Sequence, residues 1–347
     1  MIPSFFYTDK FLSYDFTGMH PLKPIRLKLT YDAMKVKKIL DHYQVKEPEL
    51  ATDTQLLKVH TPDYIAAVKK AEKGIPEFKY GLGTSDNPLF QNMFTSSLIY
   101  SGASISAAKD IPERKMSVNI SGGLHHAHPA QASGFCIFND VALAITTLLE
   151  EYNTVAYIDI DAHHGDGVQE IFYETNKVLT ISLHESGKYL FPGTGFPEEK
   201  GKGTGKGYSV NLPFFPYTAD DVYIESFKEV VPPLIQAYNP DIIVAQLGVD
   251  TNVDDPLADF RLSIKGYLSV VEIIRDLHDH KLILGGGGYE LQVVPKAWSM
   301  AMSVLAGDPV DIPYERVYTT SDTGKEYAKA MVTQIKEQIF PFHNITG

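Results

Sequence analysis

The sequence predicts an α/β fold, a single three-layer domain with a central, mostly parallel sheet covered by helices on both faces. Two patterns predict it. Apolar, β-branched runs at 116–121, 155–160, 178–183, 241–247 and 281–284 alternate with helix-like segments at 139–151, 166–175, 220–237 and 263–278. Strands separated by helices need crossover connections, and these bury a parallel sheet on both faces. The second pattern is chemical. The ends of the five runs carry, in order, His125 and His126; Asp161 and His163; His184; Asp250; and the segment 285–289. Open α/β sheets keep their chemistry at the carboxyl ends of their strands. At 347 residues and 44% apolar, the chain can bury a core of this size, and we read residues 1–347 as one domain.

The elements follow in order. Ser4 to Tyr7 reads as a first strand, with a loop ending at His20 and Pro21. A helix is expected from Arg26 to about Tyr43. Thr61, Pro62 and Asp63 start another through Lys70: proline suits a first turn and the acid favours the amino end. Residues 81–88 form a polar, glycine-containing loop. Residues 95–109 are small and apolar at helical spacing, which predicts a buried helix. The glycine-rich GKGTGKG at 201–207 runs into the strand-like YSVNLP rather than a helix, so it is a flexible loop and not a phosphate cradle. Residues 324–340 have the periodicity of a surface helix.

The net charge of −12 argues against general affinity for nucleic acid or anionic lipid, while a basic partner such as a lysine-rich peptide remains compatible. A lone cysteine, Cys136, excludes an internal disulfide framework and fits a reducing compartment. The opening MIPSFFYTDKF is too short and polar for a secretory signal, and no apolar run approaches a membrane span. A cytoplasmic protein is expected.

The densest chemistry lies in VAYIDIDAHHGDGVQ, residues 155–169. On extended backbone, residues two apart point the same way, so Asp161 and His163 can offer a carboxylate and an imidazole in one direction. Asp250 ends the run DIIVAQLGVD and would leave the sheet at the same edge. Together they make an Asp₂His set with an open position, the pattern of a catalytic rather than a structural metal. Two carboxylates largely cancel a dication's charge, so a separate base is needed. His125 and His126 follow Gly122 and Gly123; such a pair can bind metal or serve as a base with its electrostatic partner. Asp159 and Asp166 could each hold one imidazole through Nδ1. His184 is balanced between a structural role and a place at the centre. His42, His60, His278, His280 and His343 sit in helix-like or terminal contexts and read as surface or packing residues. In LILGGGGYE, four glycines precede Tyr289, whose phenol can donate to an oxygen gaining negative charge.

These pieces resemble the zinc-dependent histone deacetylase superfamily, in its class I-like bacterial and archaeal branch that includes acetoin-utilisation proteins. The likeness rests on HPLKPIR (20–26), GGLHHAHPAQASGFCIFND (122–140), DIDAHHGDGVQ (159–169), SLHESGKYLFPGTG (182–195), QLGVDTNVDDP (246–256) and GGGGY (285–289), and runs from about His20 to Trp298. It implies an arginase/deacetylase fold with one zinc per chain on Asp161, His163 and Asp250. It implies a histidine pair at His125 and His126, a transition-state tyrosine at Tyr289, and a rim carboxylate, Asp86, that holds the substrate backbone. Gly134, Phe135, Phe191 and Leu257 match residues lining a narrow apolar channel for an acyl-lysine stem. A structural potassium is implied near Asp159, Asp161, His163, Ser182 and Leu183. Leu124 departs from the aromatic that many relatives place before the pair. Pro256 and Gln292 replace arginines that bind inositol phosphates in eukaryotic relatives, so neither that ligand nor a corepressor complex is expected.

The expected reaction is hydrolysis of an N-acetyl or short acyl amide on a lysine side chain of a protein or peptide. Zinc and Tyr289 polarise the carbonyl. His126 with Asp166 acts as base and acid, and His125 with Asp159 as electrostatic partner. Three rivals stand beside it. A two-manganese ureohydrolase would want an aspartate where Leu124 stands and further acids after Asp250. A non-enzymatic acyl-lysine binding module would not need every catalytic group. An acetylpolyamine hydrolase would share the chemistry.

Overall fold

The computed structural model describes residues 2–16, 18–312 and 315–345. Its strands are β1 (Ser4–Phe6), β2 (Gln44–Lys46), β3 (Met116–Asn119), β4 (Val155–Asp159), β5 (Val178–Glu185), β6 (Ser209–Phe214), β7 (Ile242–Gln246) and β8 (Lys281–Leu284). They form one eight-stranded parallel sheet in the order β2-β1-β3-β8-β7-β4-β5-β6, with helices on both faces, as predicted.

By packing density the chain divides into two compact units. The first comprises residues 1–151, 166–171 and 282–286. It holds β1, β2, β3 and most of β8, with helices α1 (Ile25–Val36), α2 (Asp53–Leu56), α3 (Pro62–Ala71), α4 (Met93–Arg114), α5 (Asp140–Leu148) and α6 (Asp166–Phe172). Thr61 caps α3, its hydroxyl accepting from the Tyr64 N–H, with Pro62 in the first turn. The helix expected from Arg26 to Tyr43 stops at Val36: Lys38 turns left-handed, and a short 3₁₀ turn, Ile39–His42, follows. Three residues at the break, Val36 to Lys38, are exposed, so continued helix would bury nothing there, whereas the turn brings Ile39 into the core.

The second unit comprises residues 152–165, 172–281 and 287–347. It holds β4 to β7 with α7 (Asp220–Tyr238), α8 (Ile264–Leu277), α9 (Val294–Ala306) and α10 (Asp322–Gln338). Every residue of β4, β5, β6 and β7 is buried, which is why β4, β7 and most of β5 read as apolar runs. Register sets Asp159 beside Ser182 on one flank and Gln246 on the other. The segment after β4 and the segment after β7 therefore leave the sheet side by side. Helix α9 was not foreseen. Among the described residues no helix is long and apolar enough to cross a membrane.

Candidate active site

In the second unit, Asp161, His163 and Asp250 converge, all buried, with one ligand-type atom from each lying within 4.8 Å of the others. The two carboxylates are held from behind. Asp161 Oδ2 accepts from Gln246 Nε2 and from the Gly287 N–H, each at 2.7 Å. Asp250 Oδ1 accepts from the Ala162 N–H at 2.8 Å. One oxygen of each acid then faces the same imidazole atom: His163 Nδ1 lies 3.2 Å from Asp161 Oδ1 and 2.9 Å from Asp250 Oδ2. Gly287 permits this crowding, since a Cβ there would lie 2.1 Å from Asp250 Oδ2.

The electrostatics of the cluster call for a cation. Burial and the neighbouring Asp161 charge push the Asp250 carboxyl well above the usual carboxylate range. Burial opposes a charge on His163, but its hydrogen bonds to Asp161 and Asp250 outweigh that and hold its proton well above the ordinary imidazole range. Without another cation, a proton must offset two buried acids. A dication bound by three single atoms, one oxygen from each acid and Nδ1, satisfies the same demand, so the donor set fits a metal centre.

Around this set, the Tyr157 hydroxyl donates to Asp159 Oδ2 at 2.6 Å, and Asp159 Oδ1 accepts from the Asp161 N–H. Ser182, opposite Asp159 on β5, bonds His184 Nδ1 at 2.9 Å, with Leu183 next along the strand. The other nitrogen of His184 meets the Gly195 carbonyl at 2.9 Å, so both ring nitrogens are engaged by neighbouring protein groups. The Phe191 ring lies 6.4 Å from that of His163. Tyr289 is placed by a residue the sequence did not single out. Asp255, buried in the loop after β7, accepts from the Tyr289 N–H at 2.8 Å and from the Leu257 N–H at 3.0 Å.

In the first unit, His125 and His126 are buried and meet tip to tip, Nε2 to Nε2 at 3.0 Å. His126 Nδ1 lies 2.7 Å from Asp166 Oδ1, the pairing expected from sequence. Gly134 packs on the His126 ring: a Cβ there would lie 2.2 Å from its Cδ2, and φ is +53°. Asp86 fixes that glycine, accepting its N–H at 2.8 Å. Phe135 follows with φ +67°, its carbonyl held by the Tyr14 hydroxyl and its ring edge-on to His20. Asp140, fully buried at the start of α5, accepts from the Gly123 and Leu124 N–H groups and so fixes the turn into the histidine pair. His60 is the packing residue expected: it spans the loop from the His128 carbonyl to the Asn139 N–H, and burial lowers its pKa to about 4.

Sequence reading missed Asp140, Asp255 and Gln246, which act through backbone groups or through another acid. It also missed His128, which shares Asp166 with His126 at 3.4 Å. The spacing His-x-His at 126–128 was the available signal, since residues two apart on extended backbone point the same way.

Comparison with known proteins gives a consistent picture. The histone deacetylase domain matches residues 20–305. The acetoin utilization protein AcuC of Staphylococcus aureus (strain MRSA252) is 40% identical over 324 residues, covering 90% of this chain and 83% of its own length. Its namesake in Bacillus subtilis (strain 168) is also 40% identical, over 88% and 82%. Two crystal structures of an HDAC homolog, one complexed with SAHA and one from Aquifex aeolicus, are each 32% identical. Each has a TM-score of 0.84 over 96% of this chain and 89% of the other. With its arginase/deacetylase fold and these relatives, the chain belongs to the histone deacetylase family of hydrolases.

Proposed function

We propose that this protein is a zinc-dependent amidohydrolase of the cytoplasm that removes acetyl or short acyl groups from lysine side chains of proteins or peptides. The observation that carries this reading is the Asp161–His163–Asp250 set, where each buried residue brings one ligand-type atom within 4.8 Å of the others and the two acids are held from behind by Gln246, Gly287 and Ala162. Zinc, when held by these three residues, supplies Lewis acidity for attack on the amide carbonyl. By family resemblance a structural potassium would lie near Asp159, Asp161, His163, Ser182 and Leu183.

The protein's own groups carry the protons. Asp166 on Nδ1 orients the His126 ring and leaves Nε2 as its exchanging atom. That atom is 3.0 Å from His125 Nε2, so the pair shares one proton more readily than it holds two. His126 takes the proton released by water and returns it to the departing amine, while His125 tunes the charge beside it. Tyr289 donates its phenol hydrogen to the oxygen that gains charge. By family resemblance Phe135 and Phe191 would each flank the methylene stem of a neutral acyl-lysine, which is buried at far less cost than an ammonium. Leu257 offers no acid to pair with the second ammonium of a polyamine. Asp86 would hold the substrate backbone.

The test is turnover of a fluorogenic acetyl-lysine peptide by the zinc-loaded protein. We expect hydrolysis that Tyr289→Phe lowers by on the order of 10²–10³-fold in kcat, with KM little changed. A zinc-loaded protein that binds the peptide without turning it over would instead mark an acyl-lysine binding module.

A further inference from the structure

The carboxylate that orients His126 is not its private partner. Asp166 opens α6, and its two oxygens face different imidazoles: Oδ1 lies 2.7 Å from His126 Nδ1, and Oδ2 lies 3.4 Å from His128 Nε2, an ion-pair distance. The remaining nitrogen of His128, Nδ1, is hydrogen-bonded to Glu170 Oε2. Asp166 and Glu170 are four apart on the same helix and thus on one face, while His126 and His128 are two apart on the facing segment. The result is an alternating row, imidazole, carboxylate, imidazole, carboxylate. It runs from the buried pair out to Glu170, whose side chain is 56% exposed.

Backbone contacts fix His128 in that row. Its N–H donates to the Gln131 carbonyl at 2.9 Å, and its carbonyl meets His60 Nδ1 at 3.1 Å. The charged groups that face its ring are Asp166 and Glu170, with His126 across Asp166; His60 is kept neutral by burial.

A buried carboxylate with a single imidazole holds that imidazole protonated, and a protonated His126 cannot accept the proton that hydrolysis releases. The row has two carboxylates, and the outer histidine lies between them. We propose that His128 is a positioning residue for His126: as a standing imidazolium between Asp166 and Glu170, it draws on the charge of Asp166 and keeps His126 in its neutral, proton-accepting form near pH 7. The electrostatics agree with the geometry. Hydrogen bonds to Asp166 and then Glu170 push the His128 pKa up to about 10, so its charge persists through the working range. The proposal deepens the reading of His126 as proton carrier and rests on it.

The experiment compares zinc-loaded wild type, His128→Gln, His128→Lys and Glu170→Gln. Two readouts are taken: the pH profile of kcat/KM on an acetyl-lysine peptide, and the titration of His126 followed by nitrogen NMR with histidine-labelled protein. Glutamine can still donate to Asp166 but carries no charge. We expect His128→Gln to move the acid limb, and the His126 titration, up by about one pH unit. Activity should then fall about tenfold below the limb and stay unchanged at high pH. Lysine restores the charge and should return both readouts to near wild type. Glu170→Gln removes a negative charge and should not move the limb upward. Equal loss at every pH with an unmoved limb, or no rescue by lysine, would show that His128 serves structure alone and overturn the proposal. The NMR titration reads the coupling without any substrate. An inactive wild type would therefore refute the functional reading, whereas an unmoved His126 in His128→Gln would refute this one.

Discussion

Replacing Asp255 by alanine should slow catalysis through Tyr289, and the size of the effect can be worked out. The carboxylate accepts two backbone N–H groups, from Tyr289 at 2.8 Å and Leu257 at 3.0 Å. A hydrogen bond to a charged acceptor contributes about 1.5–3 kcal/mol. Tyr289 and Leu257 are only half-buried, so water can take up part of the loss, and the lower end of that range applies to each. Burial also pushes the Asp255 carboxyl above the usual carboxylate range, so removing it relieves some desolvation. A loss of about 1.5 kcal/mol in holding Tyr289 in place translates to about tenfold in kcat. The assay is a double-mutant cycle with Tyr289→Phe. If Asp255 acts by placing the phenol, Asp255→Ala should cost about tenfold alone and no more than about twofold when the phenol is already gone. Equal losses in both backgrounds would show that Asp255 acts independently of Tyr289 and refute the reasoning.

Two further predictions concern the metal and the loop behind the histidines. His163→Ala should reduce zinc from one per chain to none after dialysis, measured by elemental analysis, with circular dichroism unchanged. Asp161 and Asp250 keep their contacts to Gln246, Gly287 and Ala162, so the loops do not depend on the imidazole; retention of one tight zinc would refute the ligand assignment. Burial raises the Asp140 carboxyl from 3.8 to about 6, against hydrogen bonds from Ser104, Leu124 and Gly123. Because the folded state binds this proton more tightly than the unfolded chain, its contribution is complete below pH 3.8 and lost as pH rises through 6. The stability of wild type relative to Asp140→Asn should therefore decline by about 2 kcal/mol between pH 4 and 7 in denaturant titrations. A difference that is flat or grows with pH would contradict this.

Much of the fold was legible because central strands buried on both faces must be apolar throughout, as in β4 and β7. Strand β2, Gln44–Lys46, was not: it lies at the edge of the sheet and is largely exposed, so no apolar pattern marks it. The convergence of Asp161, His163 and Asp250 was legible because Asp161 and His163 are two apart and Asp250 sits just past a buried run. The His126–Asp166 pairing spans 40 residues but joins chemically matched groups. Asp140 and Asp255 were hidden for a different reason. Each acts on backbone N–H groups, which every residue except proline carries, so the sequence holds no mark of the partner.

The central claim, hydrolysis of acyl-lysine at a zinc centre, is tested most directly by one comparison: kcat/KM of the zinc-loaded protein for an acetyl-lysine peptide and for acetylspermidine. Pairing a second ammonium would need an acid where Leu257 stands, since an unpaired buried charge costs several kcal/mol. We expect the peptide to be preferred by at least about tenfold, roughly 1.4 kcal/mol, and Leu257→Glu to narrow or reverse the ratio. Preference of the wild type for acetylspermidine, or a ratio that Leu257→Glu leaves unchanged, would contradict the account and favour a polyamine substrate.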